Sequence, residues 1–165
     1  MVGRRSVFSE IPRRTAASLV VRRAPSKRAA INEFQAHHLC GLSLFLVQRT
    51  LAHFEVESVA DLPEEGWEPF TYLPEYGLFT SGVYACGFVC ADLSPDIDID
   101  AVKCRPVEAL GGMALPQLRH YVHTLMRLER AGYGYGSALY EAVRAGVLEV
   151  LCERLDSDSD LYESL

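Results

Sequence analysis

Glycine punctuates a run of helical stripes in the last third of the chain, and this limits the fold more than any other feature. Between Leu115 and Arg130, the residues Leu118, Tyr121, Val122, Leu125 and Leu128 recur at intervals of three and four. That spacing places them on one face of a helix. Pro116 falls in the first turn, where a missing N–H is no loss. Gly132, Gly134 and Gly136 then stop the helix. Ser137 supplies the oxygen that an N-cap needs and opens a second helix carrying Leu139, Ala142 and Val143. Gly146 closes it. Val147 to Leu155 forms a third helix, with Leu148, Leu151 and Leu155 on its stripe.

The same reasoning predicts a helix over 32–54, capped by Asn32. Its inner stripe would be Leu39, Leu42, Phe45, Leu46, Thr50 and Phe54. Gly41 weakens its middle by up to about 1 kcal/mol relative to Ala. Residues 55–68 are acidic and broken by Pro63 and Gly66, so they read as a loop or short turn, with Trp67 anchored on the core. Pro74 starts a short helix to about Cys86, with Tyr76, Phe79, Val83 and Cys86 on one stripe and Gly87 as its cap. An extended run follows from Phe88 to Leu93. A hairpin is the alternative there, since Gly82, Tyr84, Phe88 and Val89 also suit strands. Residues 94–112 read as a long irregular link with one short strand at Ile97–Lys103. The predicted fold is mainly α: a single small helical domain with one or two short strands and a C-terminal three-helix segment.

A chain of 165 residues with 49% hydrophobic and 23% charged residues has a globular composition, which excludes wholesale disorder. Its longest apolar stretch, Leu39 to Val47, falls well short of the roughly 20 residues that a membrane-spanning helix needs. Charge divides the chain. Residues 1–30 carry 8 basic residues and Glu10, or +7, while the other 135 carry 8 basic and 21 acidic residues, or −13. The expected organisation is a disordered basic arm at 1–30, a helical domain at 31–155 and an acidic tail at 156–165.

Three readings fit the arm. It is a tail for nucleic acid or acidic surfaces, a targeting segment, or translated sequence upstream of the true start. Gly3-Arg4-Arg5-Ser6-Val7-Phe8 loosely matches a twin-arginine export signal, but Pro12, Arg13 and Arg14 interrupt any apolar region behind it. The five cysteines, Cys40, Cys86, Cys90, Cys104 and Cys152, are odd in number and form no CxxC pair. Reduced cytoplasmic thiols are therefore expected rather than a secreted disulfide framework.

Several segments follow a recognisable order. Leu118-Arg119-His120-Tyr121 leads to Arg127-Leu128-Glu129-Arg130, then Gly134-Tyr135-Gly136-Ser137-Ala138 and Glu141-Ala142-Val143. Ala145-Gly146-Val147-Leu148 and Glu153-Arg154-Leu155 complete it, and Phe79 to Val89 lies upstream. Over residues 70–155 this resembles an uncharacterised family of small bacterial proteins. The chain departs from that pattern at Ala131-Gly132, where an aromatic usually follows, and at Asp92-Leu93-Ser94-Pro95, where a Trp-containing turn is common. The resemblance implies a bacterial, mostly helical single domain. The family has no assigned activity, so no mechanism comes with it.

The residues that could carry chemistry cluster at one corner. Arg127, Glu129 and Arg130 end the Leu115–Arg130 helix, where arginines favour the negative end of the dipole. Structurally, the arginines would pair with Glu129 or Glu141 and fix the next helix. Functionally, Arg127, Glu129, Arg130, Tyr133 and Tyr135 would form a binding site for a small anion or carboxylate, with glycines allowing close backbone approach. Gly132-Tyr133-Gly134-Tyr135-Gly136 lacks both the dinucleotide spacing and the P-loop lysine. His120 and His123, three apart on a helix, would need a third ligand such as His53, His38 or Cys104 to hold a metal. The calcium-like start Asp96-Ile97-Asp98-Ile99-Asp100 fails at Ala101 and Val107. The last two helices are too acidic for a DNA-reading pair, with Glu149 and Glu153 against Arg154. No metal or cofactor is expected. The expected function is a non-catalytic binding or interaction domain for a protein or small ligand. The alternatives are a small His/Cys- or metal-dependent enzyme, and a nucleic-acid-associated protein using the arm.

Overall fold

A computed structural model of the chain describes residues 31–89, 97–132 and 136–157. Among these residues there are eight α-helices and no strand. The mainly helical expectation holds.

Helix α1 spans Glu33–Phe54. The Asn32 side chain accepts from the Gln35 N–H, and the Gln35 side chain accepts from the Asn32 N–H, both at 2.8 Å. This reciprocal cap satisfies two donors that the helix cannot. The buried face is Ala36, Leu39, Cys40, Ser43, Leu46, Val47 and Thr50. It is rotated from the expected stripe, and Phe45 is 44% exposed. The reason is packing against two neighbours at once, which recruits small side chains where backbones approach closely. Ser43 and Thr50 are buried because each hydroxyl donates back to a carbonyl one turn earlier, at 2.8 and 2.7 Å.

The acidic segment that follows holds a 3-10 turn, Val59–Asp61. Trp67 does not sit in the loop: it begins α2, Trp67–Thr71, and packs half-buried against the core. A Cβ at the preceding Gly66 would collide with Tyr140, Phe54 and Pro63, so this loop lies tightly against the core. Helix α3, Pro74–Ala85, ends as expected at Gly87, whose φ is +79°. Gly87 N–H donates to Tyr84 O and Phe88 N–H to Val83 O, which consumes carbonyls left open at the helix end. Phe79, Val83 and Cys86 face the core, and Phe88 is buried just beyond them. The rest of the expected extended run, from Cys90 on, lies outside the described residues.

The strand expected at Ile97–Lys103 is instead helix α4, Ile99–Cys104, followed at once by α5, Pro106–Gly111. Alternating Asp and Ile imitates a strand, but the Asp98 carboxylate accepts from the N–H groups of Asp100 and Ala101 at 3.1 and 3.2 Å. That makes Asp98 an N-cap, and capping decides the conformation of so short a segment.

Helices α6 (Leu115–Ala131), α7 (Ala138–Arg144) and α8 (Val147–Ser157) are the three helices read from the sequence. Helix α8 runs two residues past Leu155, so Asp156 belongs to the helix rather than to a tail. There it lies 3.6 Å from the His37 imidazole. Helix α1 packs mainly on α8 and α3, α6 on α7 and α4, and α5 on α8. Residues of all eight helices share one core, whose largest buried side chains include Tyr121, Tyr140, Phe70 and Phe79. No helix among the described residues is long and apolar enough to cross a membrane.

Candidate functional site

Helix α6 carries the candidate corner at its C-terminal end. Its buried positions Leu118, Val122, Leu125 and Glu129 follow helical spacing, so Glu129 occupies a core position on an otherwise apolar face. Arg127 and Arg130 fall on the exposed side of the same turn. The structure therefore buries the glutamate of the three charged residues that the sequence groups together and leaves the two arginines exposed.

Glu129 is 7% exposed, and its carboxylate collects hydrogen bonds from three residues. Tyr76 on α3 donates its phenol proton to Oε1 at 2.7 Å. The Ser137 hydroxyl lies 2.8 Å from Oε1 and 2.9 Å from Oε2. The Leu139 N–H, in the first turn of α7, donates to Oε2 at 2.8 Å. Ser137 also accepts from the Tyr140 N–H at 3.0 Å, as the N-cap expected of it. A carboxylate at a helix N-terminus is favoured by the helix dipole and satisfies an open donor. Burial pushes the Tyr76 phenol up from its ordinary value, and the bond to Glu129 and its negative charge push it further. Glu141, the other proposed partner of the arginines, pairs instead with Arg144 one turn on, at 3.2 Å.

Two cavities flank this carboxylate. One, of about 520 Å³, opens between α3 and α6 and is lined by Tyr76, Thr80, Ser81, Tyr84, Met126, Glu129 and Arg130. The other, of about 460 Å³, has Trp67, Tyr121, Leu125, Gly136 and Ser137 in its wall. Its rim carries Glu64, Glu65, Asp100 and Glu141 against Lys103 alone. Of the five candidate residues, Glu129 and Arg130 line the α3–α6 cavity, while Arg127 is exposed at the same helix end. Tyr133 and Tyr135 lie outside the described residues.

The two histidines meet, with ring centroids 6.3 Å apart. His123 is buried and His120 half-buried. Among the described residues, no three His, Cys, Asp or Glu side chains gather where they could hold a metal ion. His38 and Cys104 are exposed, and His53 packs edge-on against Phe54 at 4.9 Å.

Sequence reasoning missed Tyr76 and Thr80 as site residues, and it missed the inward aim of Glu129. The interval from Leu118 through Val122 and Leu125 to Glu129 carried the second signal. Nothing local carried the first, because Tyr76 lies 53 residues from Glu129.

No protein-family model, curated protein or solved structure matches the chain. The family resemblance therefore rests on the residues quoted for it.

Proposed function

We propose that this chain is a non-catalytic binding domain whose ligand site is the α3–α6 cavity. The observation that carries this is the makeup of that cavity: Tyr76, Tyr84 and Met126 with the exposed cation Arg130 at its edge. Its volume, about 520 Å³, falls within the range of small-molecule sites. Apolar walls with a few convergent polar groups suit a planar, mostly apolar molecule bearing one acidic group. The rings would stack on the tyrosines and the acid would meet Arg130. A binding role rather than acid–base chemistry is supported by Glu129, whose two oxygens are already engaged by Tyr76, Ser137 and Leu139. We place the protein in the cytoplasm on its cysteine pattern: five cysteines with no CxxC pair.

Titration of the full chain with naphthoate, followed by NMR, tests this. Saturable shifts should centre on Tyr76, Tyr84 and Met126. Tyr84→Ala should abolish them, and Arg130→Ala should weaken binding about tenfold. Shifts centred on another surface, or binding indifferent to both substitutions, would overturn the proposal.

A further inference from the structure

The contact between α1 and α8 holds two cysteines face to face. Cys40 on α1 and Cys152 on α8 are 112 residues apart in sequence. The Cys40 thiol points at the Cys152 carbonyl, with sulfur and oxygen 3.9 Å apart, and the Cys152 thiol points at the Cys40 carbonyl, 3.7 Å away. This reciprocal arrangement requires the two backbones to face each other at the helix crossing, within the reach of one side chain. Both residues are 4% exposed, yet they differ in access. Cys152 borders an open surface groove with Leu44, Glu149, Glu153 and Asp156.

The two thiols also influence each other's ionisation. Hydrogen bonding from Cys40, aided by Ser43, pulls the Cys152 thiol down, against burial and the charges of Asp156 and Glu149. The same pairing, together with burial, pushes the Cys40 thiol up. The thiolate is the nucleophile in thiol chemistry and must be reached by its substrate, so Cys152, the sulfur that borders the groove, is the one placed to react.

We propose that Cys40 and Cys152 are a reversible dithiol–disulfide pair that cross-links α1 to α8 when the protein meets a hydroperoxide. The Cys152 thiolate attacks the terminal oxygen of the hydroperoxide. The O–O bond breaks, the remaining alkoxide or hydroxide leaves as alcohol or water, and Cys152 becomes a sulfenic acid. The Cys40 sulfur then attacks the Cys152 sulfur, and the displaced hydroxide takes the Cys40 proton and leaves as water. Two thiols have lost two electrons and the hydroperoxide has gained them. A small-molecule dithiol reverses the step by exchange. The disulfide requires both side chains to turn from their carbonyl contacts until the sulfurs are about 2.05 Å apart. Closing so long a loop constrains the unfolded chain, so the oxidised protein should melt at a higher temperature. Cys86, buried at the end of α3, and the exposed Cys104 are internal comparators.

The test uses the full chain, reduced, then treated with one equivalent of hydrogen peroxide and mapped by mass spectrometry without reduction. The expected product is one peptide linked through Cys40 and Cys152, two hydrogens lighter in mass, with a raised melting temperature that dithiothreitol reverses. Cys40→Ser should leave a sulfenic acid at Cys152 that dimedone traps. Cys152→Ser should slow oxidation of Cys40 at least about tenfold. If either variant loses its helical circular dichroism, the map of the unsubstituted protein alone decides. Peroxide that oxidises Cys104 or Cys86 while Cys40 and Cys152 stay reduced would overturn the pair. So would a link that forms only in urea.

Discussion

Between α1 and α8 the joint is largely apolar: Leu39, Leu46 and Val47 on one helix and Leu148, Leu151 and Leu155 on the other are buried in the same core. Between α6 and α7 it turns on one carboxylate, Glu129, and the three donors around it. Apolar burial is non-directional, so the first joint holds the helices together while leaving its detailed packing adjustable. Hydrogen bonds have directions and a high cost when broken in the interior, so the second joint fixes where α7 begins and how α3 meets it. The candidate cavity sits at the directional joint, and the proposed thiol pair sits at the adjustable one.

Substitutions that remove a side chain should damage both joints, and substitutions that keep its shape should separate them. Glu129→Ala strands a phenol, a hydroxyl and an N–H, and should cost about 4 kcal/mol by urea denaturation. Leu39→Ala, which opens a cavity at a fully buried site, should cost about 3 kcal/mol. The swaps that conserve volume carry the contrast. Leu39→Met should cost below about 1.5 kcal/mol, because an adaptable side chain refills the space. Glu129→Gln should still cost about 2 kcal/mol, because an amide cannot accept everywhere a carboxylate did. Equal losses for the two swaps would erase the distinction between the joints.

A smaller effect isolates the α3 strand of the network. Tyr76→Phe removes one donor to Glu129 and should cost about 1.5 kcal/mol at neutral pH. The phenol is held above its ordinary value near 10, so the folded state keeps its proton where the unfolded state would lose it. The folded protein then binds more protons at alkaline pH, and stability falls as pH rises. The contribution of Tyr76 should be complete below about pH 10 and decline above it. Burial pushes the Tyr121 phenol up as well, so Tyr76→Phe should flatten the alkaline fall without abolishing it. Denaturation midpoints between pH 8 and 11, taken for both proteins, measure the difference. Parallel curves would show that Tyr76 is not part of the buried network.

Where a segment was long enough for helical period and caps to agree, the sequence was legible. The period from Leu118 to Leu125, the Ser137 cap and the glycine at 146 place α6, α7 and α8 within two residues of where they lie. Short segments misled. Asp98 is a cap that alternation disguised as a strand, and Trp67 begins a helix only five residues long. The stripe on α1 was misplaced because periodicity identifies a face but not how many neighbours share it. The candidate site was half legible. The importance of Glu129 could be read, but its partner Tyr76 could not, because a contact across 53 residues leaves no local mark. The same is true of Cys40 and Cys152, which are unremarkable in sequence and adjoin only because α1 and α8 cross.

The smallest expected effect lies on α1 itself, away from both joints. Gly41 sits inside this helix of 22 residues, one position after Cys40, and is exposed. A Cβ built there meets nothing within 4 Å. Its helical backbone suits alanine, so Gly41→Ala should gain most of the propensity difference, between about 0.5 and 1 kcal/mol. The gain comes from the unfolded chain and requires no new contact. It should therefore offset part of the cost of Leu39→Ala or Glu129→Ala additively, with no coupling, as expected for a substitution that touches neither network. Coupling with Leu39→Ala above about 0.5 kcal/mol would show that the α1 backbone shifts when its apolar joint is cut. The adjustability inferred for that joint would then extend into the helix rather than stopping at the side chains.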